Sequence, residues 1–333
     1  MFDNLPLQPP IEPMEARAQT KLPSGDAWIY EPKWDGFRCI AFRDGSDVAL
    51  QSKSGQALER YFPEIVEAVL SVSAKRFVLD GEIAIELDGS LDFDALLQRI
   101  HPAASRIKKL ALETPARYFV FDLLAESGKL LAEQPLEVRR ERLEDFAAKH
   151  FKKGGDVLLS PASLEIEHAR EWLEGGAQFF DGVIAKRADA PYAFGSRDAV
   201  VKIKRAHTAD CVVGGFRKTA DGKSVASLLL GLYDENGLLH HVGFVGSLSA
   251  EERKRATQTL KPLVEEPGFT GNRPGGPSRW NRGKESEWFP VRPEVVVEVQ
   301  YDHTTGQRFR HGARFLRWRP EKSPKQCTLD QAF

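Results

Sequence analysis

The chain has 333 residues, 41% of them hydrophobic and 29% charged, with a formal net charge of −1, which is typical of a globular protein of about two domains. No apolar run approaches the roughly 20 residues of a membrane-spanning helix, and the N-terminus lacks the basic start and apolar core of a signal peptide, so we expect a cytoplasmic protein with no membrane partner. The three cysteines are far apart and lack the spacing of a zinc site or a disulfide framework.

The first 205 residues alternate between strand-like and helix-like segments. Runs of β-branched and aromatic residues predict strands, and apolar residues spaced three and four positions apart predict helices. In chain order the sequence predicts a β-hairpin at 27–45 with a turn at Asp44–Gly45, a helix at 62–72, a strand at 77–87, a helix at 92–100 capped by Asp92, a strand at 117–126, helices at 135–151 and 166–177, and strands at 181–187 and 198–205. Hairpins outnumber β-α-β units in this pattern, which indicates a mixed α+β domain.

Beyond a boundary near Arg205, short strands separated by glycine-rich turns dominate the sequence. They are predicted at 209–218, within 225–247 and at 293–304, with one helix at 249–260 and a loop at 265–280. About five short strands with one helix favour a small β-barrel, and the OB-fold is the form we expect.

The net charge of −1 is the sum of two unequal parts. From Lys202 to the C-terminus there are 22 Lys and Arg against 15 Asp and Glu, which leaves 25 basic and 33 acidic residues before that point. A basic part beside an acidic part favours a polyanionic partner for the basic one. Two solvated domains that differ in charge are the alternative that charge alone leaves open.

A candidate nucleophile is Lys33, which ends a predicted strand beside a glycine turn in the segment Lys33-Trp34-Asp35-Gly36. Taken alone, a lysine in this setting is usually a solvated surface charge. Five more segments follow it in order: Asp80-Gly81-Glu82, Phe121-Asp122, DGVIAK at 181–186, Lys202-Ile203-Lys204 and Arg319-Pro320-Glu321-Lys322.

In this order the segments resemble the nucleotidyltransferase motifs of ATP-dependent DNA ligases, RNA ligases and mRNA capping enzymes. The segments after Lys204 resemble the OB domain of a DNA ligase, and the likeness to small bacterial ATP-dependent DNA ligases covers nearly the whole chain. The resemblance implies an α+β fold, with an ATP-grasp-like nucleotidyltransferase (adenylation) domain of antiparallel sheets at 1–205. An OB-fold β-barrel with a C-terminal basic motif would follow at 206–333.

The resemblance also implies catalytic roles. Lys33 would attack the α-phosphate of ATP and hold AMP covalently, and the cations that neutralise the phosphates would be Lys186, Lys202 and Lys204. A lysine must lose its proton to act as a nucleophile, which nearby positive charge or a metal ion favours. Glu82 and Asp181 would hold Mg²⁺ or Mn²⁺, although the family usually has Glu where this chain has Asp181.

Nucleotide recognition is implied for a second group of residues. Phe121 and Ile184 would contact the two faces of the adenine, and Glu31 would accept a hydrogen bond from its amino group. Arg38 would contact the ribose. Arg319 and Lys322 would orient the pyrophosphate.

The implied partner is nicked double-stranded DNA, bound by a monomer, and recruitment by a repair polymerase or clamp is left open. Lys53 stands where the family usually has an arginine that faces DNA, and lysine lacks the bidentate geometry of that group. Seven basic residues and one acidic residue lie between Arg308 and Lys325. Within this tail the candidate phosphate contacts are Arg308, Arg310, Arg314 and Arg317.

Two other functions are compatible with parts of this pattern. An RNA ligase or capping guanylyltransferase would use the same chemistry, but Glu31 and the ligase-like OB segments argue against both. A non-catalytic OB-fold protein that binds nicked DNA is the alternative from another class. Retention of the motif lysines argues against it.

Overall fold

The computed structural model describes residues 2–175, 180–205, 207–275, 287–302 and 304–333. The chain forms two compact units, Met1–Arg205 (unit 1) and Ala206–Phe333 (unit 2). Within the described ranges, no helix has the length and apolar character needed to cross a membrane.

The strands of unit 1 are β1 (Arg17–Ala18), β2 (Trp28–Trp34), β3 (Phe37–Asp44), β4 (Asp47–Ser52), β5 (Arg76–Leu87), β6 (Ser90–Leu91), β7 (Ala116–Glu126), β8 (Lys129–Leu130), β9 (Val157–Leu159), β10 (Phe180–Arg187) and β11 (Val200–Lys204). Its helices are α1 (Pro63–Ser71), α2 (Phe93–Gln98), α3 (Ala104–Glu113), α4 (Leu136–His150) and α5 (Ile166–Gly175). The last residues of the helix predicted at 166–177 lie outside the described residues.

The strands of unit 2 are β12 (His207–Lys218), β13 (Val225–Tyr233), β14 (Leu239–Val245), β15 (Phe289–Pro290), β16 (Val296–Tyr301), β17 (Thr304–Thr305), β18 (Arg308–Phe309) and β19 (Arg314–Trp318), with helix α6 (Ala250–Leu260) between β14 and β15. Short 3₁₀ turns lie at Lys261–Leu263, Pro324–Gln326 and Leu329–Gln331. Residues 276–280 of the predicted loop, and His303 in the last predicted strand, lie outside the described residues.

Unit 1 contains two sheets that enclose a shared core. One has the strand order β1-β11-β10-β2, and the other has the order β4-β3-β5-β7-β8, with β6 beside β5 and β9 beside β7. Ile40 and Phe42 of the larger sheet pack in one cluster with Tyr192, Val200 and Ile184 on the side of the smaller sheet. The space between the two sheets is therefore partly filled by apolar side chains.

Local sequence accounts for several element boundaries. The Asp92 carboxylate caps α2 by accepting a hydrogen bond from the backbone N–H of Ala95 at 2.8 Å, as predicted. Ser249 and Glu252 form a capping box at the start of α6. Helix α3 was not predicted, because no side chain caps its N-terminus and Ile107 is its one fully buried residue.

The prediction of a hairpin at 27–45 is wrong, because its two strands, β2 and β3, do not pair with each other. The turn at Asp44–Gly45 joins β3 to β4 as expected, but β2 pairs with β10 in the smaller sheet. The chain changes sheets at Gly36, where a Cβ atom would lie 2.2 Å from the carbonyl oxygen of Ile83. Strand β3 can leave β2 because both of its faces are apolar and are buried in the larger sheet.

Unit 2 is a barrel of antiparallel strands. Its strand order is β14-β13-β12-β16-β19, and β15 pairs with β12. A bridge between Val245 and Ala313 joins the end of β14 to the segment before β19, which brings the two edges of the sheet together. Ala256 and Leu260 of α6 pack on the barrel core. The α+β class and the OB-type barrel predicted from the sequence are confirmed.

A charged pair is buried between β7 and α4 in unit 1. Both side chains are at most 1% exposed, and the Arg139 guanidinium donates to both carboxylate oxygens of Asp122, at 2.8 and 2.9 Å. The same guanidinium donates to the carbonyl oxygens of Gln134 and Ala190. Arg139 holds the pKa of Asp122 below its usual range, in spite of the opposing effect of burial.

Replacing Arg139 should therefore strongly destabilise unit 1. Arg139→Met leaves a buried carboxylate and two carbonyls unpaired, and we expect a loss of about 3–5 kcal/mol in the free energy of unfolding. Urea unfolding followed by tryptophan fluorescence measures this loss. The matched control is Arg142→Met on the same helix, which breaks an exposed pair with Glu126 and should cost about 1 kcal/mol or less. Equal losses in the two variants would contradict the account.

Candidate active site

Three paired strands of the smaller sheet collect the candidate residues on one face. Across the β2–β10 pair, Lys33 lies opposite Gly182 and Glu31 lies opposite Ile184. Across the β10–β11 pair, Gly182 lies opposite Lys204, Ile184 opposite Lys202 and Lys186 opposite Val200. Because alternate residues of a strand point to the same side, the odd positions of β2 and the even positions of β10 and β11 form one polar face.

The opposite face of these strands is apolar. Tyr30, Val183, Val201 and Ile203 are buried there in one cluster, together with Ala169 of α5. This packing fixes the register of the three strands, because a shift of one residue would turn the lysines into the core. The apolar face and helix α5 thus hold the polar face in place.

The candidate nucleophile forms an ion pair with a carboxylate of the neighbouring strand. The Lys33 ammonium donates to Asp181 Oδ2, and Lys204 Nζ lies 3.5 Å from the same oxygen. Asp181 is the extra residue of a β-bulge between Phe180 and Gly182. Gly182 has a φ of +149°, and a Cβ atom there would lie 2.1 Å from the Ile203 carbonyl oxygen. A glycine is therefore required opposite both lysines.

A buried ion pair lies next along the same face. Lys186 Nζ is 2.7 Å from Glu31 Oε2, and both side chains are under 10% exposed. Glu31 Oε1 is buried and accepts no hydrogen bond from any residue that the structure describes. A buried carboxylate oxygen without a donor is the type of group that a ligand N–H satisfies.

The larger sheet contributes an arginine and an aromatic ring that face these lysines. Arg38 makes two hydrogen bonds of 2.5 Å to Asp80, which is fully buried and also accepts from the Tyr192 hydroxyl at 2.6 Å. Phe121 is the extra residue of a bulge in β7. Its ring centre lies 4.7 Å from the Arg38 guanidinium and 4.3 Å from Lys186 Nζ. The two cations thus flank an aromatic ring of suitable type for contact with a base.

Glu82 is the carboxylate of the larger sheet that lines the same space. Burial raises the pKa of Glu82 to about 7, although Arg38 and Lys33 lower it. Among the described residues, no group of three or more His, Cys, Asp or Glu side chains could hold a metal ion. Glu82 therefore fits a cation that takes most of its ligands from bound phosphates, the usual pattern for Mg²⁺.

These side chains line a cavity of about 240 Å³ between the two sheets of unit 1. Burial lowers the pKa of Lys202, and the neighbouring Lys33, Lys53 and Lys204 lower it further. Several like charges near one cavity favour a polyanionic ligand. The residues predicted from the sequence that line the cavity are Glu31, Lys33, Arg38, Lys53, Glu82, Phe121, Ile184, Lys186 and Lys202.

Two predicted residues lie beside this cavity rather than in its lining. Asp181 and Lys204 are connected to it through Lys33. Because Asp181 already pairs with two lysines, its contacts give no support to the role of metal ligand predicted for it. Tyr192 and Glu15 also line the cavity and were not predicted from the sequence. Tyr192 holds Asp80 behind Arg38, and Glu15 pairs with Lys53 at 3.1 Å.

The predicted residues of unit 2 lie in two different environments. Arg319 is 2.9 Å from Asp210, 3.3 Å from Glu298 and 2.5 Å from Glu321, and Arg317 also pairs with Glu298. Lys322 lies 3.6 Å from Asp210. Arg308 and Arg314 are exposed, and Arg310 is half-buried.

Comparison with known proteins gives consistent matches over both units. Residues 13–204 match the family model "ATP dependent DNA ligase domain", and residues 221–322 match "ATP dependent DNA ligase C terminal region". The chain is 46% identical to DNA ligase C1 of Mycolicibacterium smegmatis and 44% identical to DNA ligase C of Mycobacterium tuberculosis. Each match covers 98% of this chain and 95% of the relative.

A solved structure supports the fold. The protein, from a structure–function analysis of Lig E DNA ligases, is 16% identical to this chain and superposes with a TM-score of 0.56. The match covers 92% of this chain and 99% of that one.

The raised pKa of Glu82 gives a test of the site without any ligand. In the metal-free protein, the Glu82 carboxyl should titrate near pH 7, and binding of a cation to it should weaken as the pH falls through 7. Because the folded pKa exceeds the unfolded one, this group stabilises the fold below about pH 4.5, and that contribution is lost as the pH rises through 7. Carbon-13 NMR of labelled glutamate, assigned with Glu82→Gln, measures the midpoint. A midpoint near 4.5 would show that the carboxyl is not desolvated.

Proposed function

The chain belongs to the ATP-dependent DNA ligase family, and on this premise we propose how its residues seal a nick. ATP is the nucleotide substrate and nicked duplex DNA is the substrate to be joined. The observation that carries the proposal is the polar face of β2, β10 and β11, where Lys33 stands among other lysines beside a nucleotide-sized cavity.

In the first step, Lys33 Nζ attacks the α-phosphorus of ATP. A phosphorus–nitrogen bond forms to AMP while the bond to pyrophosphate breaks. Negative charge develops on the phosphate oxygens, and preorganised cations stabilise it best because they need no reorganisation. The strand register puts Lys186, Lys202 and Lys204 on the same face as Lys33, which supports this role for them.

The attacking amine must first lose a proton. The Lys33 nitrogen is ion-paired with the Asp181 carboxylate, so it is not free to attack while this pair is in place. We infer that Asp181 holds Lys33 in position before ATP binds and that this ion pair breaks before attack. Asp181 is then a positioning residue and does not need to contact the metal.

Recognition of adenine depends on the buried ion pair of Glu31 and Lys186, which lines the cavity. The unpaired Oε1 atom of Glu31 accepts from the adenine amino group, while guanine presents a carbonyl oxygen at the same position. Phe121 and Ile184 contact the base, and Arg38, held by Asp80, contacts the ribose.

Glu82 would hold a divalent metal together with the phosphates. Such an ion would neutralise negative charge on the phosphates. Arg319 and Lys322 orient the pyrophosphate. Both side chains pair with Asp210, so they must leave that carboxylate before they can bind phosphate oxygens.

Two further steps complete the reaction on DNA. The 5′-phosphate at the nick attacks the Lys33 phosphoramidate and takes AMP, and the 3′-hydroxyl then attacks that phosphate and releases AMP. Lys53, which lines the cavity, and the four predicted arginines of the C-terminal tail, Arg308, Arg310, Arg314 and Arg317, contact backbone phosphates. Such contacts position the protein without reading sequence. We propose that a monomer performs all three steps.

Labelling with ATP radioactive at the α-phosphate tests the residue roles. Wild type should acquire label on a denaturing gel and lose it to nicked DNA, whereas Lys33→Ala should acquire none. Lys202→Met keeps the nucleophile but loses one cation, so labelling should slow by about 100-fold or more without disappearing.

Lys149→Ala is the control, because Lys149 is an exposed lysine of α4 outside the site. GTP labelled at the same phosphate should give no adduct. Label on Lys33→Ala, or equal labelling by GTP, would contradict the proposal.

A further inference from the structure

Two arginines of unit 2 contact the same strand, β14, through His241 and Phe244. Arg217 is near the end of β12 and Arg308 is on β18. In the described part of the chain, neither guanidinium has a carboxylate at ion-pair distance, whereas Arg317 and Arg319 are both paired with Glu298. Burial lowers the pKa of Arg217, and Arg308 lowers it further, which reflects uncompensated repulsion.

The packing of the β17–β18 hairpin brings these residues together. Phe309 lies on β14 where Gly243 leaves room, since a Cβ atom at Gly243 would be 2.6 Å from Phe309 Cδ2. This contact places the preceding residue, Arg308, against His241 of β14, with Nη2 at 2.7 Å from Nδ1. Arg217 reaches the same strand from β12, where its guanidinium lies 5.8 Å from the centre of the Phe244 ring.

His241 fixes the orientation of Arg308. A guanidinium only donates hydrogen bonds, so Nδ1 of His241 must be the accepting nitrogen of a neutral ring. His241 is 4% exposed, and its burial, together with the two arginines, lowers its pKa to about 3. A neutral histidine can therefore accept a hydrogen bond from Arg308 at physiological pH and hold it in a defined direction.

We propose that Arg217 and Arg308, with His241 as the positioning residue for Arg308, bind a phosphate of the DNA backbone on the surface of the barrel. The arrangement is called the barrel cation site below. An anion there would relieve the repulsion between the guanidiniums. The neighbouring Phe244 ring is 40% exposed and offers an apolar contact to a deoxyribose, which a free phosphate would not use. The assignment of the phosphate to DNA rests on the proposed ligase function.

Binding of a fluorescent nicked duplex by the full chain, measured by anisotropy without ATP at several salt concentrations, tests this proposal. Arg217→Met and Arg308→Met should each weaken binding about tenfold. Because the two arginines share one phosphate, replacing both should reduce the slope of log K against log salt by about one, and each single variant should reduce it by less. Arg292→Met is the control, because Arg292 is exposed and already paired with Glu265 and Glu294, and it should change neither quantity.

Variants of His241 distinguish a role in positioning Arg308 from a general effect on folding. His241→Gln keeps an acceptor for Arg308 and should bind DNA within about twofold of wild type, whereas His241→Leu should approach Arg308→Met. Thermal unfolding by circular dichroism identifies any variant that fails to fold, and the two arginine variants keep the test valid in that case. Equal binding by His241→Gln and His241→Leu would overturn the positioning role.

Two further outcomes distinguish the possible failures. If inorganic pyrophosphate binding falls in the arginine variants while DNA binding and its salt slope stay unchanged, the site takes a free anion and the proposal is wrong. The proposal is also wrong if both arginine variants behave like Arg292→Met. Failure of the proposed function would appear separately, as absence of lysine labelling in the wild type, a step that needs no DNA.

Discussion

The register of three antiparallel strands is the constraint on which the site depends. Because β10 lies between β2 and β11, one alternation of side chains decides which residues face the cavity and which face α5. The polar face brings together lysines from three separate parts of the chain, and the neighbouring carboxylates of Glu31 and Asp181 pair with three of them. The buried apolar face provides the free energy that holds this arrangement in the absence of ligand.

Bulges in β10 and β7 change the regular alternation of side chains at two positions of the site. Asp181 is added to β10 and reaches Lys33, and Phe121 is added to β7 and lies between Arg38 and Lys186. A bulge redirects one side chain without changing the rest of the sheet. Most residues of the site therefore follow the regular strand alternation, and Asp181 and Phe121 are the two that bulges redirect.

The sequence was sufficient for the fold class and most helices, because periodicity is a local property. The resemblance to ligase motifs identified nine of the residues that line the cavity. The sequence was not sufficient for sheet partners. The two-residue link at Asp35–Gly36 is typical of a hairpin, yet the tertiary packing of β3 separates it from β2. Partners distant in sequence, such as Tyr192 for Asp80, were also missed, since no local pattern indicates a hydrogen bond across 112 residues. In unit 2, the charge count of the sequence does not distinguish two kinds of arginine. Arg317 and Arg319 pair with carboxylates, whereas Arg217 and Arg308 have no carboxylate at ion-pair distance among the described residues.

If the proposed function is right, this strand register makes Lys33, and none of its lysine neighbours, the residue that carries AMP. The most direct test is to incubate the protein with ATP and a divalent metal, digest it, and locate AMP by tandem mass spectrometry. We expect AMP only on the peptide that contains Lys33. AMP on Lys186, Lys202 or Lys204 would contradict it, because the face would then bind the nucleotide in another orientation.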